Sequence, residues 1–147
     1  MVVLLISRNL ITMCFVFSIL YILYLTMLPH PSLGIGVGDG GINLIPFEMM
    51  HGLFTEQSLW TFIINVGGNI LLFVPFGYIL SWVFPKVNTV FRAAAGAFLS
   101  ACIEIIQLIV PNRFTDIDDI ILNASGAAIG YGVYKFVQVY QLNFLKK

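Results

Sequence analysis

The chain has 147 residues, 59% hydrophobic and 10% charged, with seven Lys and Arg balancing seven Asp and Glu. A soluble domain carries roughly 25% charged residues, so this composition excludes one and implies an all-α integral membrane protein, a single domain over residues 1–147. No run of Lys or Arg exists to neutralise phosphates, which excludes nucleic acid as a partner.

The first apolar run, residues 10–28, follows Arg8 and Asn9 and ends at Pro29-His30-Pro31. About 20 helical residues cross the hydrocarbon core, so one span is expected. The run is longer than a signal-peptide core and no small-x-small cleavage site follows it, so it reads as an uncleaved anchor.

A long connection over residues 29–58 comes next. Gly34, Gly36, Gly38, Gly40 and Gly41 suit a mobile loop, and a phosphate cradle would need a strand before and a helix after them. Pro46 suits the first position of a short interfacial helix, in which Phe47, Met50 and Phe54 share a face on the bilayer surface. His30 and His51 lack companions at metal-ligand spacing and read as interfacial, so neither a metal nor a cofactor is expected.

The second span, residues 60–84, carries Asn65 and Asn69 four apart on one face, then Pro75, which predicts a kink. The third covers residues 90–110. Ala93, Ala97, Ser100, Glu104 and Gln107 recur there at helical spacing, small below and polar above. After residues 111–116, Thr115 reads as an N-cap paired with Asp118 in a capping box, which leaves Asp118 no further role. The fourth span, residues 119–140, places Asp116, Asp119 and Asn123 on another face that Gly126 and Gly130 continue as a close-packing pattern. Such small-residue faces also suit contact between copies of the chain. Lys135 reaches back to the interface. Cys14 and Cys102 sit at depths differing by roughly 10 Å at ~1.5 Å per residue, beyond disulfide reach, and are expected as free thiols.

With four spans both termini share a side. Placing them in the cytoplasm puts Arg8, Lys86, Arg92, Lys135, Lys146 and Lys147 inside and only Arg113 outside, as the positive-inside rule requires. Asn65, Asn69, Glu104, Gln107, Asp119 and Asn123 then fall at similar depth in the outer leaflet, under Arg113. A buried ionisable residue costs about 3 kcal/mol at a helix centre and faces the bundle interior. One outward-opening polar cavity is therefore expected, with Asn43, Asp116 and Arg113 at its mouth.

Three motifs, N-L-I-P-F at residues 43–47, N-I-L-L-F-V-P-F-G at 69–77, and E-I-I-Q at 104–107 continuing through T-D-I-D-D-I-I-L-N-A-S-G to Gly126 and then Gly130, resemble the VanZ-like family. The glycine-rich opening of the outer loop departs from it. The resemblance implies a multi-pass protein of the bacterial cytoplasmic membrane and cell envelope, linked in the family's namesake to teicoplanin-type glycopeptide resistance. It implies no established reaction. The amides outnumber good proton-transfer groups, which favours a binding protein for a membrane lipid or lipid-linked wall component. The alternative is an intramembrane enzyme acting on a phospholipid or polyprenyl phosphate, with Glu104 as base and Asp116 with Asp119 holding a cation. A third alternative makes the polar residues interhelical glue.

Overall fold

A computed structural model describes residues 7–28, 40–111 and 113–144. In chain order the elements are α1 (Arg8–Met27), β1 (Gly41–Asn43), α2 (Glu48–Glu56), α3 (Leu59–Val83), α4 (Thr89–Gln107), β2 (Phe114–Asp116) and α5 (Ile117–Phe144). The four long helices are each long and apolar enough to cross a membrane. Residues 29–39, which include His30 and Gly34, Gly36 and Gly38, and the terminal Lys146 and Lys147 lie outside the described residues.

Polar side chains start each long helix. The Ser7, Ser58 and Asn88 side chains accept from the backbone N–H groups of Leu10, Thr61 and Phe91, capping α1, α3 and α4. The cap of α5 is Asp116, whose Oδ1 accepts from the Asp118 N–H at 2.9 Å. This corrects the assignment of Thr115, which sits in β2 with its hydroxyl directed at the Glu104 carbonyl. The expected third span is also too long. Its helix closes at Gln107, because Ile109 and Val110 bond back three residues in a tight turn and Pro111 follows. Pro46 precedes the short helix, which begins at Glu48 after Phe47 at the N-cap. Cys14 and Cys102 are free.

The two strands are an addition to the expected all-helical chain. They pair in parallel, with Gly41 opposite Phe114, Ile42 opposite Thr115 and Asn43 opposite Asp116. Three-residue strands are too short to show an alternating pattern. The Phe114 ring lies over Gly41, where a Cβ would oblige the ring to move.

Close packing centres on α5, which lies between α3 and α4. A methyl group at Gly77 would land on the Ala127 backbone, one at Gly126 on the Ile70 carbonyl, and one at Gly130 on the Val74 carbonyl. Lipid tails are as apolar as Leu, so membrane helices associate through such close contact rather than hydrophobic exclusion. On α4 the buried seam is Arg92, Gly96, Ser100, Ile103, Glu104 and Gln107. Gly96, rather than Ala93 or Ala97, is buried in it, and a Cβ there would meet Ala127 and Asn123. The small-residue faces built on Gly126 and Gly130 are thus occupied within the chain. Helix α1 is peripheral, burying only Ser18 and Ile22 and stacking Phe15 on Phe76 at 5.6 Å.

Arg92, expected only as a flanking charge, is fully buried at the end of the bundle where α3 stops and α4 starts. It donates to the Phe84 carbonyl at 2.9 Å, the Ser81 hydroxyl at 2.9 Å, and the Val87 and Asn88 carbonyls. Its guanidinium also lies 4.2 Å from the Tyr131 ring centroid. The α3 terminus thereby gains a cation on its unsatisfied carbonyls.

Gly126→Leu is expected to lower stability by about 1–3 kcal/mol or more through overpacking, read as a depressed thermal midpoint in detergent. Gly68→Ala, where a Cβ meets nothing within 4 Å, is the control and leaves the midpoint unchanged or slightly raised. Equal losses at both sites would contradict this helix packing.

Candidate functional site

At the opposite end from Arg92, α1 and α4 terminate, α3 and α5 begin, and the strands cross between them. The N-L-I-P-F segment is tied to the start of α5 by two adjacent acids. Asn43 donates through Nδ2 to Asp116 Oδ1 at 2.9 Å, and its own Oδ1 accepts from the Ile45 N–H at 3.0 Å, turning the chain out of β1. Phe47 follows with φ at 68°, the left-handed region that costs a non-glycine residue roughly 1–2 kcal/mol. Its N–H donates to Asp118 Oδ1 at 2.5 Å, and the Met50 N–H donates to Asp118 Oδ2 at 3.1 Å. These are the N-cap and third helical N–H groups of α2. Asp118 therefore caps a helix some seventy residues earlier in the chain, a role that the capping-box assignment missed. Only the two-residue spacing of Asp116 and Asp118 hinted at it.

Glu104 braces the other side. One of its carboxylate oxygens accepts from the Asp116 N–H at 2.9 Å, and its carbonyl receives the Thr115 hydroxyl at 3.4 Å and the Leu108 N–H at 3.1 Å. Gln107 Nε2 donates to the Thr26 carbonyl at 2.9 Å. Arg113 Nη2 donates to that same carbonyl and to the Leu28 carbonyl at 3.2 Å. The end of α1 is thus capped by two side chains, one from the last residue of α4 and one from the connection to β2. Asn123 Nδ2 donates to the Ser100 hydroxyl at 2.8 Å and Asn69 Nδ2 to Asp119 Oδ1 at 2.5 Å. Those last two bonds join α5 to α4 and to α3, so interhelical glue is a real part of the arrangement.

Of the expected site residues, Asn43, Glu104, Gln107, Arg113, Asp116 and Asn123 are buried, and the Asn69–Asp119 pair stands half-buried beside them. Asn65 does not join them. It is exposed, and its Nδ2 folds back onto the Thr61 carbonyl of its own helix at 2.8 Å. Arg113 donates to the carbonyls at the α1 terminus and also interacts through its charge with Glu104. Each carboxylate of the catalytic alternative is held through one oxygen: Glu104 by the Asp116 amide, Asp116 by Asn43 and the Asp118 amide, Asp119 by Asn69. Among the described residues no three His, Cys, Asp or Glu side chains stand together as a metal site.

The cluster is short of donors. Gln107 Oε1, Asp116 Oδ2 and Asn123 Oδ1 are buried acceptors with no hydrogen-bond partner, each carrying a desolvation cost of about 1–3 kcal/mol. Burial pushes the Asp116 carboxyl above its usual value of 3.8, against the lowering effect of the Asp118 amide and Asn43. Burial pulls the Arg113 guanidinium down, and the Glu104 charge pulls it back up. Beside these groups lies an open hollow of about 200 Å³, lined by Gly40, Gly41, Ile42, Leu108, Val110, Arg113 and Thr115.

Four membrane-length helices with a buried polar cluster at one end define a multi-pass helical membrane protein that buries Glu104, Arg113, Asp116 and Asp118 at that end. The chain belongs to the VanZ/LLP1 family, whose model matches residues 15–138, and the resemblance carried by the three motifs is borne out. Protein VanZ of Enterococcus faecium is 33% identical over 93 residues, covering 63% of this chain and 52% of that protein. The chain spans about half the length of this curated relative. No solved structure matches it.

Two outcomes follow from the paired acids. Asp118→Ala removes both acceptors at the start of α2 and is expected to cost about 0.5–2 kcal/mol. Hydrogen exchange should accelerate across residues 47–56 and stay unchanged in α3; unaltered exchange at Phe47 and Met50 would contradict the cap. For Asp116, an acid whose folded value is raised contributes most while protonated, and that contribution is lost as pH climbs from 3.8 through the raised value. Asp116→Asn keeps the cap without the buried charge, so its thermal midpoint should equal or exceed that of the parent at neutral pH. Its advantage should shrink on acidification, and an advantage that grew would reverse the sign.

Proposed function

We propose that this VanZ-family membrane protein holds the head group of an envelope lipid or lipid-linked wall component at its polar end, and that doing so contributes to glycopeptide resistance of the teicoplanin type. One observation carries the proposal: residues from three motifs, distant in sequence, converge there with three buried acceptors that have no hydrogen-bond partner, at the end of the bundle where Arg113 borders a hollow. A cluster serving only to join helices would use its hydrogen-bonding capacity internally, since buried polar atoms are normally paired. Amides and a guanidinium suit recognition of an anionic, hydrogen-bonding head group. An occupied or screened wall precursor offers less target to a glycopeptide. The similarity to Protein VanZ supports this reading, though the chain covers only 52% of that protein.

The proposal includes an orientation. The polar end faces outward in the bacterial cytoplasmic membrane, with both termini in the cytoplasm, in line with the six-to-one bias of basic residues. Exposed Ile42, Leu44, Ile45, Phe47 and Phe54 then rest with α2 on the outer bilayer surface.

Gln107→Ala and Asn123→Ala, expressed at parental levels in a glycopeptide-sensitive host, are expected to lose teicoplanin protection. Full protection in both variants would overturn the binding proposal. For the orientation, Glu48→Cys in a chain with Cys14 and Cys102 replaced by Ala should react in whole cells with a membrane-impermeant maleimide. Labelling only after lysis would place the polar end in the cytoplasm.

A further inference from the structure

The residues that line the hollow restrict the charge of what it holds. Ile42, Leu108 and Val110 give it aliphatic walls, Gly40 and Gly41 add backbone, and Arg113 and Thr115 are its polar side chains. Ile42 and Leu108 are also exposed, so the apolar wall continues onto the outer surface of the bundle. Thr115 directs its hydroxyl at the Glu104 carbonyl, which leaves Arg113 as the side chain with donors to spare. A guanidinium has five N–H groups, and the two on Nη2 go to the Thr26 and Leu28 carbonyls. Nε and Nη1 bond to no described residue, yet they are not among the enclosed atoms left without a partner. Their three N–H groups therefore stay accessible. Both forked edges of a guanidinium include Nη2, so no two-point clamp of the usual arginine–phosphate kind remains.

Charge points the same way. Arg113 is the one Lys or Arg at this end among the described residues, since Arg8, Lys86, Arg92 and Lys135 lie elsewhere in the bundle. Glu104 already acts on it through its charge, and Asp116 and Asp118 are buried at the same end. A first negative charge in the hollow meets Arg113. A second finds no cation and faces these acids, and like charges brought together select strongly against a ligand. Three N–H groups can cover the two unesterified oxygens of a phosphodiester, but they leave part of a diphosphate bare. The hollow's volume of about 200 Å³ also falls below the roughly 300–1,000 Å³ of pockets for drug-sized ligands. It admits a phosphate with its adjoining carbons and leaves a large head group outside.

We propose that this hollow holds one singly charged phosphodiester, at the point where a lipid head group joins its hydrocarbon chain, and rejects diphosphates. This rests on the lipid-binding function proposed above and narrows it. Two sources carry such a group, a glycerophospholipid and a sugar joined to a polyprenyl chain through one phosphate.

Native mass spectrometry of the full delipidated chain tests the selectivity with four probes. Three share the same acyl chains: phosphatidylglycerol, diacylglycerol pyrophosphate, and diacylglycerol, which has no phosphate. The fourth is a polyprenyl phosphoglucose. At least one of the two phosphodiesters should bind roughly tenfold more tightly than both diacylglycerol pyrophosphate and diacylglycerol, and the tighter of the two identifies the source. Pyrophosphate binding as tight as that of the phosphodiesters overturns the charge selectivity and leaves lipid binding standing. Binding of no phosphate-bearing probe above diacylglycerol removes both. Val110→Phe, which fills the hollow without touching a side-chain hydrogen bond, should lower phosphodiester affinity by roughly tenfold while hydrogen exchange in α2 stays unchanged. Full affinity in that variant overturns the location. Leu108→Phe, on the same wall, serves in its place if Val110→Phe does not fold, and the wild-type comparison decides the selectivity without either.

Discussion

Two acids separated by one residue hold the polar end of this protein together, through three backbone N–H groups and one side-chain amide. Asp116 receives the Asn43 side chain and the Asp118 N–H, while Asp118 receives the Phe47 and Met50 N–H groups. Removing a carboxylate from water is costly unless its oxygens are hydrogen-bonded, and bonds to charged acceptors are worth about 1.5–3 kcal/mol. The exchange fixes where residues 40–56 lie. Helix α2 buries no side chain of its own, so it is positioned by this pair of acids, by the β1–β2 pairing, and by the Phe54–Phe62 ring contact at 5.5 Å.

The two ends of the bundle solve the same problem with arginine. A helix that stops leaves four carbonyls unpaired. At one end Arg113 covers the carbonyls closing α1, and at the other Arg92 covers those closing α3. They differ in what remains. Arg92 is enclosed, with carbonyls, a hydroxyl and a tyrosine ring around it. Arg113 borders a hollow, next to acceptors without donors, and that difference makes its end the candidate binding site.

The long-range pattern of the fold was legible in the sequence, because span length, apolarity and paired glycines are local properties. The position of the polar residues along their helices was legible for the same reason, and in the structure Glu104, Gln107, Asn123 and the Asn69–Asp119 pair lie at one end of the bundle. What escaped was the direction of individual side chains. Asn65 lies one helical turn from Asn69, yet turns out of the seam. Asp118 has a complete local explanation at the start of its own helix, so nothing in the sequence required a partner in residues 47–50. Strands of three residues carry no period to detect, and Arg92 at a membrane helix terminus looks like a flanking charge until its partners in α3 and α5 are seen.

The polar end requires the N-L-I-P-F segment to be docked in register against the strand that leads into α5. Parallel partners stand about 4.8 Å apart, within the Cα separation a disulfide accepts. With Cys14 and Cys102 replaced by Ala, Ile42→Cys and Thr115→Cys, register partners in the strands, should form an intramolecular disulfide under mild oxidation in native membranes. Two thiols that both react with maleimide yet never cross-link would contradict the docking, and with it the site.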